Sequence, residues 1–300
     1  MRATETDRQR ALVQAMPWVF VLIWSTGFVA ARFGMPHSPP MSFLALRFAL
    51  SFVCFIVWIV LARVEWPQGG AQWLHLAVVG VLIHAAYLGG VWSSVKAGIG
   101  AGTVALLVGL QPVLTALWTA VPAAGAGQSR VSSRQWFGLA LGLIGLMLVV
   151  WRKLGGGEVT AWNLSLAVFA LVGITVGTLY QKRFVAPCDV RSANAVQLLA
   201  AFAVTAPLAA LEAEPIVWHA HMVGAMAWSV LVLTLGGSSL LYMLLQRGAA
   251  MRVTSLMYLV PPCTALMAWA LFGESFTTLM LLGMFLTVSG VALVVRAPIR

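Results

Sequence analysis

Pro112-Val-Leu-Thr-Ala-Leu117 returns later in the chain as Pro261-Pro-Cys-Thr-Ala-Leu266, at an offset of 149 residues (112 to 261). Each copy lies in an apolar run, and each puts proline where a helix loses a backbone donor and clashes with its preceding turn. Further out, Gly138, Gly145, Val149 and Val150 reappear as Gly283, Gly290, Val294 and Val295, now at an offset of 145 (138 to 283). Arg32-Phe33 reappears as Arg183-Phe184 at an offset of 151 (32 to 183). Single identities between apolar helices are common, but three in the same order read as an internal duplication. The drop in offset places a longer loop after the fourth apolar run of the first copy.

Those runs dominate the chain. Of 300 residues, 61% are hydrophobic and 9% charged, with mean hydropathy +0.94, whereas a soluble domain carries about 25% charged residues. Apolar stretches fall near 15–33, 41–62, 72–95, 101–121 and 135–151, then near 162–182, 193–212, 221–246, 252–272 and 276–295. Ten crossings of about 20 residues each leave only short loops. The expectation is therefore an all-α polytopic membrane protein with ten transmembrane helices and no separate soluble domain. Because each copy holds an odd number of spans, the second must enter the bilayer upside down. Residues 1–153 and 154–300 then form two inverted five-helix repeats of one membrane domain, an arrangement suited to opening a shared cavity alternately to the two sides.

The formal net charge of +10 is spread over loop ends and forms no basic stripe, so it speaks for topology and against nucleic acid. With the N-terminus inside, Arg2, Arg8, Arg10, Arg63, Arg130, Arg134, Lys182, Arg183, Arg191, Arg247, Arg252, Arg296 and Arg300 are internal. Only Arg32, Lys96, Arg152 and Lys153 are external, so the positive-inside rule places both termini in the cytoplasm. The basic N-terminus followed by the apolar run from Ala15 imitates a signal peptide, but the run reaches Phe33 and reads as a retained first span. Cys54, Cys188 and Cys263 have neither disulfide nor zinc-ligand spacing.

No Asp or Glu falls inside a predicted span, which leaves a buried carboxylate proton relay without support. A phosphate-binding GxxxxGK[ST] loop is missing, and the predicted spans lack the carboxylate or His clusters that intramembrane hydrolysis needs. The expectation is a chain with no cofactor and no enzymatic activity, whose partners are the lipid bilayer and a small-molecule substrate.

Four groups of residues now carry a resemblance: Trp24-Ser-Thr-Gly-Phe-Val-Ala-Ala31, Leu46-Arg47-Phe48, Gln111-Pro112, and Phe272-Gly273-Glu274 before a Gly-rich last span. In order and spacing the chain resembles the EamA type of the drug/metabolite transporter superfamily. The resemblance implies a ten-helix exporter of amino acids, aromatic ones included, or of other metabolites, in a multi-pass location in a cell membrane, here a bacterial inner membrane. One departure is Ala123-Ala-Gly-Ala-Gly-Gln128, where the family usually repeats the Gly-Glu seen at Gly273-Glu274.

Several residues are candidates for lining the cavity. Arg47 is the basic residue well inside a span, either holding a substrate carboxylate or capping neighbouring carbonyls. His84 and Tyr87 share a helical face at i, i+3, with Trp92 two turns on, as either a pocket for flat substrates or interhelical packing. Trp24 and Ser25 interrupt an aliphatic first span. Ser239 and Tyr242 form a polar patch on span eight, and Gln111 and Tyr258 flank the prolines. Pro112, Pro261 and Pro262 are candidate hinges in mid-span, or else static kinks. Gly138/Gly142 and Gly173/Gly177 read as close helix contacts. His219 and His221, in a loop with Glu212 and Glu214, read as surface residues rather than metal ligands. Two alternatives stay open beside amino-acid export: a multidrug exporter of lipophilic cations held by Trp rings, and a membrane enzyme or lipid-handling protein.

Overall fold

A computed structural model describes residues 5–120, 133–155, 157–237, 240, 259–274 and 277–295. They form ten helical segments: α1 Glu5–Gly34, α2 Pro40–Ala62, α3 Gly70–Lys96, α4 in two pieces (Ala101–Val108 and Gln111–Ala120) and α5 Ser133–Gly155. The second set is α6 Ala161–Phe184, α7 Val190–Ala209, α8 Ala220–Gly236, α9 Val260–Phe272 and α10 Thr278–Val295. Five of them, Ala15–Gly34 within α1 together with α2, α3, α6 and α7, are long and apolar enough to cross a membrane; shorter apolar helices complete the set. On α2 the buried stripe of Phe43, Arg47, Phe48, Ser51 and Phe55 faces the interior, while Leu50, Val53, Val57 and Val60 are exposed. Apolar side chains on the outside as well as the inside are what a lipid-facing helix needs.

The packing obeys a twofold rule. Residues of α2 meet α7 in antiparallel order, with Trp58 under the Arg191 guanidinium at one end and Met41 bonded to Glu212 at the other. α4 meets α9 likewise, Gly102 against Ala265 and Gly109 against Pro261. In α5 and α10, Gly138 touches Gly290 while Gly145 touches Gly283. Since Gly138 and Gly283 are repeat equivalents, as are Gly145 and Gly290, the seam is self-complementary. The remaining helices exchange partners, α1 packing on α8 and α6 on α3. That is the pattern of two copies related by a half-turn with opposite orientation.

The α5/α10 seam is held by backbone proximity. A Cβ at Gly145 would stand 2.4 Å from the Gly283 carbonyl oxygen, and one at Gly290 would stand 2.5 Å from that of Gly138. Small residues let two membrane helices approach this closely. Gly173 and Gly177 do the same for α6, against Tyr87 and Ile83 of α3.

α4 breaks at Gly109–Leu110, immediately before Pro112, which has no N–H to continue the ladder. Pro261 and Pro262 lie in the first turn of α9, where the missing donor costs little. Pro112 is the second residue of the second piece of α4, so the prolines open a helical piece instead of bending the middle of one. Gly109 abuts Pro261, so the two proline regions meet.

One feature without a sequence signature is a nine-residue π-helical stretch in α3, Gly80–Leu88, matched by another in α8, Trp228–Gly236. The offset of 148 (80 to 228) makes them repeat equivalents. Such i→i+5 segments are rare and gather at functional sites.

Candidate substrate site

Arg47 projects from the buried stripe of α2 and is 6% exposed. Its Nε and Nη2 donate to Thr234 Oγ1 at 3.3 and 3.1 Å, and its Cζ stands 5.3 Å from the centroid of the Trp92 ring. Thr234 belongs to the π stretch of α8, and its hydroxyl donates to the Ser229 carbonyl five residues back, at 2.8 Å. The widened turn thus orients the hydroxyl so that its lone pairs face the guanidinium. First and second repeats both contribute to this contact.

The polar inventory here is left incomplete. Arg47 Nη1, Trp92 Nε1, Ser51 Oγ and Ser229 Oγ are buried with no hydrogen-bond partner among the described residues. Ser51 lies one turn beyond Arg47 on the same face of α2. Each orphaned buried group costs about 1–3 kcal/mol, and more when charged, until something satisfies it. Two of the orphans are obligate donors, Arg47 Nη1 and Trp92 Nε1, which makes an acceptor the natural complement.

His84 lies in the π stretch of α3. Its Nε2 is 3.3 Å from Gln197 Oε1 of α7, and its ring meets Phe48 edge-on at 6.0 Å. With Oε1 as the acceptor, the shared proton sits on His84 Nε2. Tyr87 and Trp92 are buried, and the Trp92 ring stands 6.2 Å from Phe43. A shared i, i+3 face for His84 and Tyr87 is a property of an α-helix. Both residues fall within the π stretch, where i→i+5 bonding changes which positions align.

Other candidates have partners of their own. Gln111 donates Nε2 to Thr178 Oγ1 of α6 at 3.1 Å. Ser25 donates to the Val21 carbonyl at 2.7 Å, and its own carbonyl accepts from Thr264 of α9 at 3.1 Å. Trp24 packs on Phe20 at 5.5 Å. Ser239, Tyr242 and Tyr258 lie outside the described residues. Thr234, Gln197, Ser51 and Ser229 are additions to the sequence reading. Polar side chains within apolar spans were the available signal, but choosing among them needs the long-range pairing.

The two ends of the bundle are tied differently. At the end carrying the 35–39, 97–100, 157–160 and 210–219 connections, carboxylates hold helix starts across the repeats. Glu212 accepts from the Met41 and Ser42 backbone N–H groups at 2.9 and 2.7 Å, and from the Ser42 hydroxyl at 2.8 Å. Glu274 accepts from Ala101 N–H at 3.1 Å and Glu158 from Gly100 N–H at 3.0 Å, both favourable at a helix N-terminus. Lys96 pairs with Glu214 at 2.6 Å. At the opposite end Gln72 exchanges two hydrogen bonds with Ala186, beside a cleft of about 540 Å³ lined in part by Trp66, Gln72, Asp189 and Arg191. Hydrogen bonds from Arg191 hold the Asp189 carboxyl below the usual carboxylate range. This cleft lies among the 63–69 and 185–189 connections, away from Arg47.

A duplicated ten-helix bundle with its second half inverted is an architecture shared by many membrane transporters. The profile of the EamA-like transporter family matches the chain twice, over residues 16–151 and 161–296. The chain belongs to that family, and is a multi-pass membrane transporter, not an enzyme. It is 25% identical over 280 residues to a probable amino-acid metabolite efflux pump of Salmonella typhimurium (strain LT2), covering 90% of each chain. It is 24% identical over 295 residues to YedA, an uncharacterized inner membrane transporter of Escherichia coli (strain K12), covering 96% of this chain and 92% of that one. A solved crystal structure superposes with a TM-score of 0.63 at 19% identity, over 95% of this chain and 97% of the other, which supports the fold.

Proposed function

We propose that this transporter exports small zwitterionic metabolites, foremost amino acids including aromatic ones, by alternating access through a cavity between its repeats. The observation that carries the reading is the buried Arg47 guanidinium, whose Nη1 has no protein partner among the described residues, in a chain with no carboxylate inside any predicted span. A substrate carboxylate would supply the missing acceptor, and Trp92 Nε1 and the Ser51 and Ser229 hydroxyls are further groups for it to meet. Phe43, Phe48 and Trp92 would give an apolar or aromatic side chain its contacts. The curated relatives named as amino-acid metabolite efflux pumps point the same way. A lipophilic cation fits less well, since it would have to displace or repel an unneutralised Arg47.

In this reading the repeats divide at 153/154, both termini are cytoplasmic, and the membrane is a bacterial inner membrane. The carboxylate-tied end is then external, and Glu212, Glu274 and the Lys96–Glu214 pair form a gate that must separate for release. Around the gate the roles divide. Trp24, Ser25, His84, Tyr87, Gln111, Ser239, Tyr242 and Tyr258 are cavity residues beyond Arg47 and Trp92. The Pro112, Pro261 and Pro262 regions, which meet at Gly109, are where the halves pivot. The test is uptake of radiolabelled amino acids by proteoliposomes containing the purified protein. Saturable counterflow of at least one amino acid is expected, and no movement of any in a full panel would overturn the reading.

A further inference from the structure

Three of the five histidines in the chain converge at the end bearing the Glu212 ties, although 182 positions separate the first from the second. His37 lies in the 35–39 connection of the first repeat, His219 is the N-cap of α8, and His221 is in its first turn. One potential ligand nitrogen from each lies within 4.8 Å of the others. Backbone bonds hold the convergence: the His37 carbonyl accepts from Val217 N–H at 2.8 Å, and Val217 in turn accepts from His219 N–H at 2.8 Å. Aromatic neighbours back the triad, with Phe33 5.3 Å from His221 and 4.8 Å from Phe272.

Aromatic packing alone accounts for part of this, since His37 and His219 stack at 4.3 Å and His219 meets His221 edge-on at 4.8 Å. It does not account for the donor chemistry. The acidic side chains that share the loop are committed elsewhere, Glu212 to the start of α2 and Glu214 to Lys96. No carboxylate pairs with the three imidazoles among the described residues. Three neutral nitrogen donors, with a fourth position open to water, make a set that late first-row divalent cations favour and that calcium and magnesium, which take oxygen ligands, do not.

We propose that His37, His219 and His221 form a zinc-class metal site that pins the first repeat to the second at this end of the bundle. Tetrahedral coordination at about 2.0 Å per nitrogen puts donors about 3.3 Å apart, so the rings close by roughly 1.5 Å on metal binding. His219 and His221 are exposed and His37 is half-buried, which leaves room for these rotations. A neutral imidazole offers a single lone pair. In His219 the Nδ1 lone pair accepts from His221 N–H at 3.1 Å, so coordination exchanges this helix cap for a metal bond. On the alternating-access reading above, the bound ion holds this end shut, and transport is inhibited.

The direct test is metal binding by the tag-free full-length protein in detergent, stripped with chelator, at pH 7.5. Zinc is titrated against a chromogenic indicator, and cobalt is followed by the visible absorption of its tetrahedral complex. One zinc ion per chain is expected. Affinity should fall by more than about tenfold in His37→Gln and in His221→Gln, a ligand counting for at least as much as an outer-layer partner. His219→Ser, which keeps a helix cap, should behave alike, while His75→Gln, whose ring bonds Tyr180 at the other end, should bind as the parent does. Zinc should also raise the melting temperature of the parent and not that of the variants. Should one variant melt low without metal, the other two carry the same comparison. No saturable binding, or binding unchanged in the ligand variants, overturns the site. These readouts are independent of transport and so distinguish failure of the metal site from failure of the export reading.

Discussion

The α5/α10 seam and the α3/α8 pair are both produced by the same duplication, yet they are built in opposite ways. α5 and α10 are regular α-helices that meet glycine to glycine, with the Thr287 hydroxyl bonded to the Gly283 carbonyl at 2.8 Å and facing that of Gly142 at 3.5 Å. α3 and α8 each carry nine π-helical residues, and around them lie the orphaned donors of Arg47 and Trp92 and the hydroxyl of Ser229. A seam with small residues and satisfied polar groups has one close-packed arrangement, whereas a wide-turned, polar-deficient region has groups left to be filled. On the proposed export reading, the first pair holds the halves together and the second meets substrate.

The hardest way to break the contrast is to wedge the seam open. In Gly145→Leu the new side chain would meet the Gly283 backbone, and overpacking of this kind costs about 1–3 kcal/mol or more. A large drop in melting temperature and in folded yield is expected, along with loss of all substrates alike; a variant as stable as the parent would show that the seam is not a fixed contact.

Next in size is Arg47→Ala, which should leave the fold intact while cutting transport of carboxylate substrates. A hydrogen bond to a charged group is worth about 1.5–3 kcal/mol, or roughly 10- to 100-fold in affinity. Measured in proteoliposomes, the loss should appear chiefly as a raised KM; unchanged kinetics would place Arg47 outside the site. Thr234→Val should have a smaller effect. It removes the hydroxyl that aims Arg47 and caps a π-turn carbonyl, so a several-fold loss is expected, consistent with about 0.5–1.5 kcal/mol for a neutral hydrogen bond. Equal loss in Thr234→Val and Arg47→Ala would mean that the threonine acts on more than the guanidinium.

Much of the frame was legible from the residues. The apolar runs gave ten helices, and Pro112/Pro261 with Gly138/Gly283 and Gly145/Gly290 gave the duplication, because composition and small-residue spacing are local properties. Arg47 stood out for a similar reason, as a charge where none is cheap. The π stretches were not legible, since Gly80–Leu88 has the same apolar composition as any membrane α-turn. Thr234 as the partner of Arg47, Gln197 as that of His84, and His37 beside His219 and His221 all depend on contacts between repeats. His219 and His221 are surface residues, as the sequence suggests, and only the fold shows that His37 of the other repeat lies beside them.

The central claim is that the transporter recognises a carboxylate through a buried guanidinium between inverted halves. It is tested most directly by competition in proteoliposomes, with counterflow of one transported amino acid challenged by the unlabelled amino acid and by its carboxamide. The amino acid should compete and the carboxamide should not, and this preference should disappear in Arg47→Ala. Equal competition by both compounds in the parent protein would contradict it.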